Sequence, residues 1–224
     1  GETRSIHRSY LMPPDMQLPQ KVSHMPYRNR VTPAGEIVVT SARGLFMGNR
    51  GVLHNGQGEI VRTHQGVRWI VCLLDFKDRR RQVMTPGRYT ELFFLDEATA
   101  LAAGHRPCKE CRPADFQRFA TLWRAVNGGA AKAGDMDAQL HQERTATQKT
   151  RYPSAGSLPN GTCVQSKEGE ALLVWRANLW LWTPAGYTER FPLTLPGPFT
   201  LLTPPSTLRV LAGGYSPVVH PTGQ

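Results

Sequence analysis

Cys108 and Cys111 stand two residues apart in "GHRPCKECRP", with Gly104 and Pro107 before them and Pro113 after. A Cys-x-x-Cys turn places two thiolates on one side of a reverse turn, where they can share a tetrahedral metal. That is half a site, so the rest of the fold must bring further ligands to the turn. A redox dithiol is a competing reading, but that motif opens a helix after a strand, whereas this one follows a helical stretch. A pair of reduced structural thiols is the third reading.

The remaining cysteines are Cys72 and Cys163. At 224 residues and 40% hydrophobic content the chain is long enough for one large domain or two small ones with a real core. It contains no run approaching the roughly 18 apolar residues of a membrane span, and no secretory leader opens it. The expectation is a soluble, cytoplasmic protein with no membrane partner, in which cysteines ligate metal or are simply buried. Ser23-His24-Met25 looks like a cloning junction, so residues 1–24 read as an added leader and Met25 as the native start. A native Pro-rich tail is the alternative, and in either case His7 and His24 are poor ligand candidates.

From Val31 to Leu74 the pattern is β: "EIVVTSA" and "VRWIVCLLDF" are rich in β-branched and aromatic residues, and Asn55-Gly56 is a turn signal. "RRRQVMTPGRYTELFFL" reads as a strand, a Pro86-Gly87 turn and a further strand. The period then becomes helical. "DEATALAAG" has acidic residues in its first turn and a glycine stop, and "RPADFQRFATLWRAVNGG" puts Phe116, Phe119, Leu122, Trp123 and Val126 on one face. Residues 128–160 read as a polar linker with one short helix at "MDAQLHQER". From Gly161 three strands follow, then a strand and a short helix in "FTLLTPPSTLRVLAGGYSP". The expected fold class is α+β: a basic, β-rich zinc module with two short helices over 25–127, then a small β-rich domain over 161–224.

"TELFFLDEATALAAGHRPCKECRP", residues 90–113, resembles the second half of the Ada-type zinc module of bacterial methylphosphotriester repair proteins. The shared pattern is an aromatic pair, an Ala-rich helix, then Gly-aromatic-Arg-Pro-Cys-Lys-x-Cys-x-Pro. The resemblance implies a zinc–thiolate site beside the DNA backbone. That module uses four cysteines, the first two spaced Cys-x-x-x-Cys at the end of a strand. Here Cys72 takes the first position and Phe76 stands where the second would be. The expected metal set is therefore Cys72, Cys108, Cys111 and a fourth ligand, His54 by preference, with His64, His105 and Asp75 as rivals. A buried core cysteine is the plain alternative for Cys72. The whole chain also resembles a group of small bacterial proteins that share "NRVTPAGEI", "GLFMGNRGVLH" and "LTPPS". That likeness implies no activity.

A net charge of +10 favours a polyanionic partner, nucleic acid first (DNA, with RNA as the alternative) and an anionic membrane surface second. Residues 25–127 carry 16 Lys/Arg against 9 Asp/Glu, or +7, and residues 128–224 carry 8 against 6, or +2. The expected nucleic-acid contacts are Arg68, Lys77, Arg79, Arg80, Arg81, Arg106, Lys109 and Arg112, with Asn49 and Arg50 from the glycine-flanked "MGNRG". Trp69, Tyr89, Phe46 and Tyr187 are candidates for stacking on bases, although each is an ordinary core residue too.

No His-Glu-x-x-His, phosphate-binding glycine loop or Gly-x-Ser-x-Gly elbow is present. Glu91 and Asp96 border the Ada-like module and are candidate acid, base or positioning groups. His141 and Glu143 complete the catalytic candidates, though a spacing of two suits neither one helical face nor a metal chelate. Three functions follow: processing of damaged or modified DNA by glycosylase- or nuclease-like chemistry, a non-enzymatic binding module stapled by zinc, or methyl transfer from a phosphotriester to Cys72.

Overall fold

Period-two alternation builds the first sheet. The computed structural model describes residues 25–77 and 82–223. Strands β1 (Arg28–Val31), β2 (Ile37–Val39), β3 (Phe46–Asn49), β4 (Ile70–Leu73), β5 (Leu92–Phe94) and β6 (Arg106–Pro107) pair in the order β2-β1-β5-β3-β4-β6. Helix α1 (Glu97–Ala102) lies between β5 and β6. Val31, Ile37, Phe46, Val71, Leu92 and Phe94 point to one face and form a core with Ala100 and Ala103. Alternation sends Met47, Asn49, Ile70, Cys72, Glu91 and Phe93 to the other face, where all six line an open cleft. β3 passes very close to β4 at Gly48, where a Cβ would sit 2.1 Å from the Ile70 carbonyl oxygen.

Helix α2 (Pro113–Asn127) opens on a proline at its first turn and buries Phe116, Phe119 and Trp123 along one stripe. Within residues 128–160 the short helix expected at "MDAQLHQER" is present, and it is longer and more deeply packed than the polar sequence suggested. This is helix α3 (Ala133–Thr145), whose Met136 and Leu140 are fully buried against α2 and against Val210, Leu211 and Tyr215. The strand expected before Pro86 begins on residues 79–81, which lie outside the described residues; residues 82–90 form turns, Met84 adopts φ 63°, and its N–H donates to the Glu91 carboxylate.

Strands β7 (Arg151–Tyr152), β8 (Cys163–Gln165), β9 (Ala171–Trp175), β10 (Asn178–Thr183), β11 (Gly186–Pro192) and β12 (Phe199–Leu201) form the second sheet, ordered β11-β10-β9-β8-β12-β7. Helix α4 (Pro205–Ala212) packs on α2. The described residues thus form a mixed α+β fold with two sheets and four helices. The sheets share a core in which Leu95, Ala98 and Ala102 meet Cys163, Leu173, Trp180 and Tyr187. Among the described residues no helix is long and apolar enough to cross a membrane.

Candidate metal centre

The turn after α1 decides where the cysteines go. The Gly104 N–H donates to the Leu101 carbonyl and the His105 N–H to the Ala100 carbonyl, with Gly104 at φ 83°. This is a Schellman ending, and it needs the left-handed region that glycine enters freely. The chain is turned back along the edge of β4 as β6, in parallel register with Ile70 opposite Arg106 and Val71 opposite Pro107. One residue further on, the Cys108 N–H donates to the Val71 carbonyl at 3.0 Å, which sets Cys108 beside Cys72. The Cys-x-x-Cys turn closes with Arg112 N–H on the Cys108 carbonyl, and α2 begins at once.

The Sγ atoms of Cys72, Cys108 and Cys111 all lie within 4.8 Å of one another. Four-coordinate zinc with bonds of about 2.3 Å needs sulfurs about 3.8 Å apart, so a small contraction would close the set on an ion. The surroundings also suit thiolates. Backbone groups of Cys111 and Glu110 hydrogen-bond to the Cys108 sulfur, and that of Leu73 to Cys111. The Cys111 and Cys72 side chains hold the Cys108 thiol far below its ordinary range. Cys108 in turn, with Cys111 and burial, pushes Cys72 far up, and Cys108 also raises Cys111, against an opposing effect of Cys72. Packed this closely, the three sulfurs cannot all carry charge unless a cation offsets their repulsion. The set can hold a metal ion.

No histidine or carboxylate among the described residues completes the cluster. His54 is excluded by its own bonds. Its Nε2 is 3.1 Å from the Thr85 carbonyl, which can only accept, and its Nδ1 is 2.6 Å from the Thr90 hydroxyl, so neither nitrogen offers a lone pair to a metal. His64 faces Trp69 and His141, His105 is buried with its Nε2 accepting from Arg50, and Asp75 is exposed beyond β4.

The cluster lies on the wall of a cleft of about 770 Å³. Met47, Ile70, Phe76, Tyr89 and Phe93 make it largely apolar, and Asn49 and Glu91 supply polar groups. Glu91 is buried, and Oε2 accepts from the Met84 N–H at 2.9 Å. Arg68 and Lys109 bring positive charge to the lining and Glu110 negative.

Several expected contacts lie elsewhere. Arg106 is buried in a bidentate pair with Asp137, both bonds 2.8 Å, and Arg112 is buried against Glu97 at 2.7 Å. Arg50 is buried between the Gly35 carbonyl, His105 and the Trp69 ring. These three arginines brace the fold through those bonds, although Arg106 also lines the cleft and one terminal nitrogen each of Arg50 and Arg112 is buried without a hydrogen-bond partner among the described residues. Arg68, Lys77 and Lys109 are exposed, and Asn49 lines the cleft. Arg79, Arg80 and Arg81, like residues 1–24, lie outside the described residues.

Of the stacking candidates, Tyr89 reaches the cleft, whereas Trp69, Phe46 and Tyr187 are buried. Of the catalytic candidates, Glu91 reaches the cleft. Asp96 is buried as the N-cap of α1, bonded to Thr99 and to the Tyr187 hydroxyl. Glu143 caps α4 through the Ser206 N–H, and His141 bonds Arg144. Phe76 and Phe93 are cleft residues that the reading by composition missed. The alternation of β5, with Phe94 inward, carried the signal for Phe93.

No known protein family matches the chain, and no curated protein or solved structure shows significant similarity to it.

Proposed function

We propose that this protein is a zinc-containing DNA-binding protein that processes damaged or modified DNA, with its reacting group held in the cleft beside Cys72, Cys108 and Cys111. The observation that carries this reading is the convergence of three thiols on the wall of a large cleft with no fourth protein ligand among the described residues. A structural zinc site is closed by four protein ligands, whereas a three-ligand site leaves a position open to water or substrate. Bound there, zinc would supply Lewis-acid polarisation and a lowered pKa for a group at that position.

The chain's own residues divide the remaining work. Phe93, Tyr89 and Phe76 offer aromatic surface to an unstacked base. Glu91, buried and fixed through one oxygen, holds or delivers a proton at its other oxygen. The charge of +7 on residues 25–127 supports a polyanionic partner. The test is turnover by the zinc-loaded protein on oligonucleotides with a single unpaired or damaged base. Excess product over enzyme is expected, with Glu91→Gln slower by roughly 100-fold or more at unchanged zinc content. If the parent releases no product from any such strand, the enzymatic reading falls.

Cys72 faces the cleft, and this favours a second reading in which its sulfur takes a methyl group from a phosphotriester, the role that the Ada resemblance suggests. A gain of one methyl mass on Cys72, without turnover, would distinguish it.

A further inference from the structure

A second recess, of about 330 Å³, adjoins the metal cleft, and Lys109 and Ala133 line both. Its chemistry is different. Lys109, Arg124 and Lys132 contribute three exposed cations, Gln117 and Thr121 contribute neutral polar groups, and no carboxylate lines it. Arg124 spends one nitrogen on the Ala130 carbonyl at 3.2 Å. The lining of the first cleft, by contrast, sets Glu91, Glu110 and Asp137 against Arg68, Arg106 and Lys109, so its formal charge balances. The sharp change in charge lies across residues 132–133. There α3 begins at Ala133 with Lys132 as its N-cap residue, and no side chain caps its first-turn N–H groups. Asp135 in that turn is exposed but lines neither recess.

An apolar, aromatic cleft next to a recess of uncompensated cations matches one kind of ligand: a flat heterocycle joined to a phosphate. We infer that the recess formed by Lys109, Arg124 and Lys132 is the phosphate subsite for a single strand of nucleic acid whose base enters the metal cleft. This inference rests on the functional reading above and adds the path of the strand. The shelf grips the backbone by charge alone, so it contributes affinity and register without reading sequence.

The test uses the full, zinc-loaded chain and a short fluorescent oligothymidine strand, titrated over a range of salt. For single strands each lost phosphate contact makes the slope of log K against log salt shallower by about 0.7, so K109A/R124A/K132A should lose about 2 in slope. K132A alone should lose about 0.7, a change too small in structure to disturb folding. The K167A/R176A control, at exposed turns of the second sheet, should match the parent. Zinc content should be equal in all four proteins. If the parent binds the strand and the triple variant keeps its slope, the shelf is overturned while the nucleic-acid reading stands. If the parent binds no strand at all, both fall together.

Discussion

Asp96 and Glu97 are adjacent, fully buried carboxylates, and the C-terminal part of the chain is fastened to them. Asp96 accepts from the Thr99 N–H and hydroxyl, the Tyr187 hydroxyl and the His220 N–H. Glu97 accepts from Arg112, the Tyr215 hydroxyl and the Val218 N–H. Asp96→Ala would remove a helix cap and leave two long-range donors unpaired, so it should lower stability by about 3 kcal/mol or more. Denaturant melts check this, and a loss under about 1 kcal/mol would contradict it. His105 sets a pH dependence. It is fully buried between the Trp69 and Phe94 rings, and burial together with Arg50 and Arg144 holds its pKa well below the ordinary value. The unfolded chain takes up this proton below about pH 6.5 and the folded chain does not. The ring's contribution is therefore complete above that pH and falls by up to about 1.4 kcal/mol per pH unit on acidification, until the folded pKa is reached. In His105→Gln, stability measured from pH 7 to pH 5 should fall less steeply than in the parent.

At the scale of elements, β3, β4 and β6 set the position of the cysteine cluster, and Gly48 lets β3 lie against β4. Gly48→Ala would drive a methyl into the Ile70 carbonyl and the Phe94 ring, costing about 3 kcal/mol or more. It should also release metal, because Cys72 lies opposite Met47 in the same ladder. A Gly48→Ala protein with parental melting and metal content would contradict this. The strands and α2 were legible in the sequence because alternation and a helical stripe are local patterns. The pairing of Cys72 with the Cys-x-x-Cys turn was legible in part, through the apolar strand before it. The burial of Arg50, Arg106 and Arg112 was not, since their partners Gly35, Asp137 and Glu97 lie up to 31 residues away and a sequence shows charge without its partner. α3 was underestimated because its buried contribution rests mainly on Met136 and Leu140 in an otherwise polar stretch.

Across the whole molecule, the cysteine cluster and its cleft lie on one face of the first sheet, the cationic recess adjoins that cleft, and the second sheet packs against the first part of the fold through the core shared at Leu95, Ala98 and Trp180. Trp182 donates to the Thr99 hydroxyl across the same junction. One cooperative unfolding transition is therefore expected, and two separated transitions in calorimetry would contradict the shared core. Metal should stabilise this single unit, because ligands brought together by folding couple binding to folding. The most direct measurement is X-ray absorption at the zinc edge on the full-length protein as purified, with metal stoichiometry determined on the same sample. The expected result is about one zinc per chain with three sulfurs at about 2.3 Å and one lighter oxygen or nitrogen neighbour at about 2.0 Å. A closed four-sulfur shell, or a metal-free protein with unchanged melting, would contradict an open metal centre at Cys72, Cys108 and Cys111.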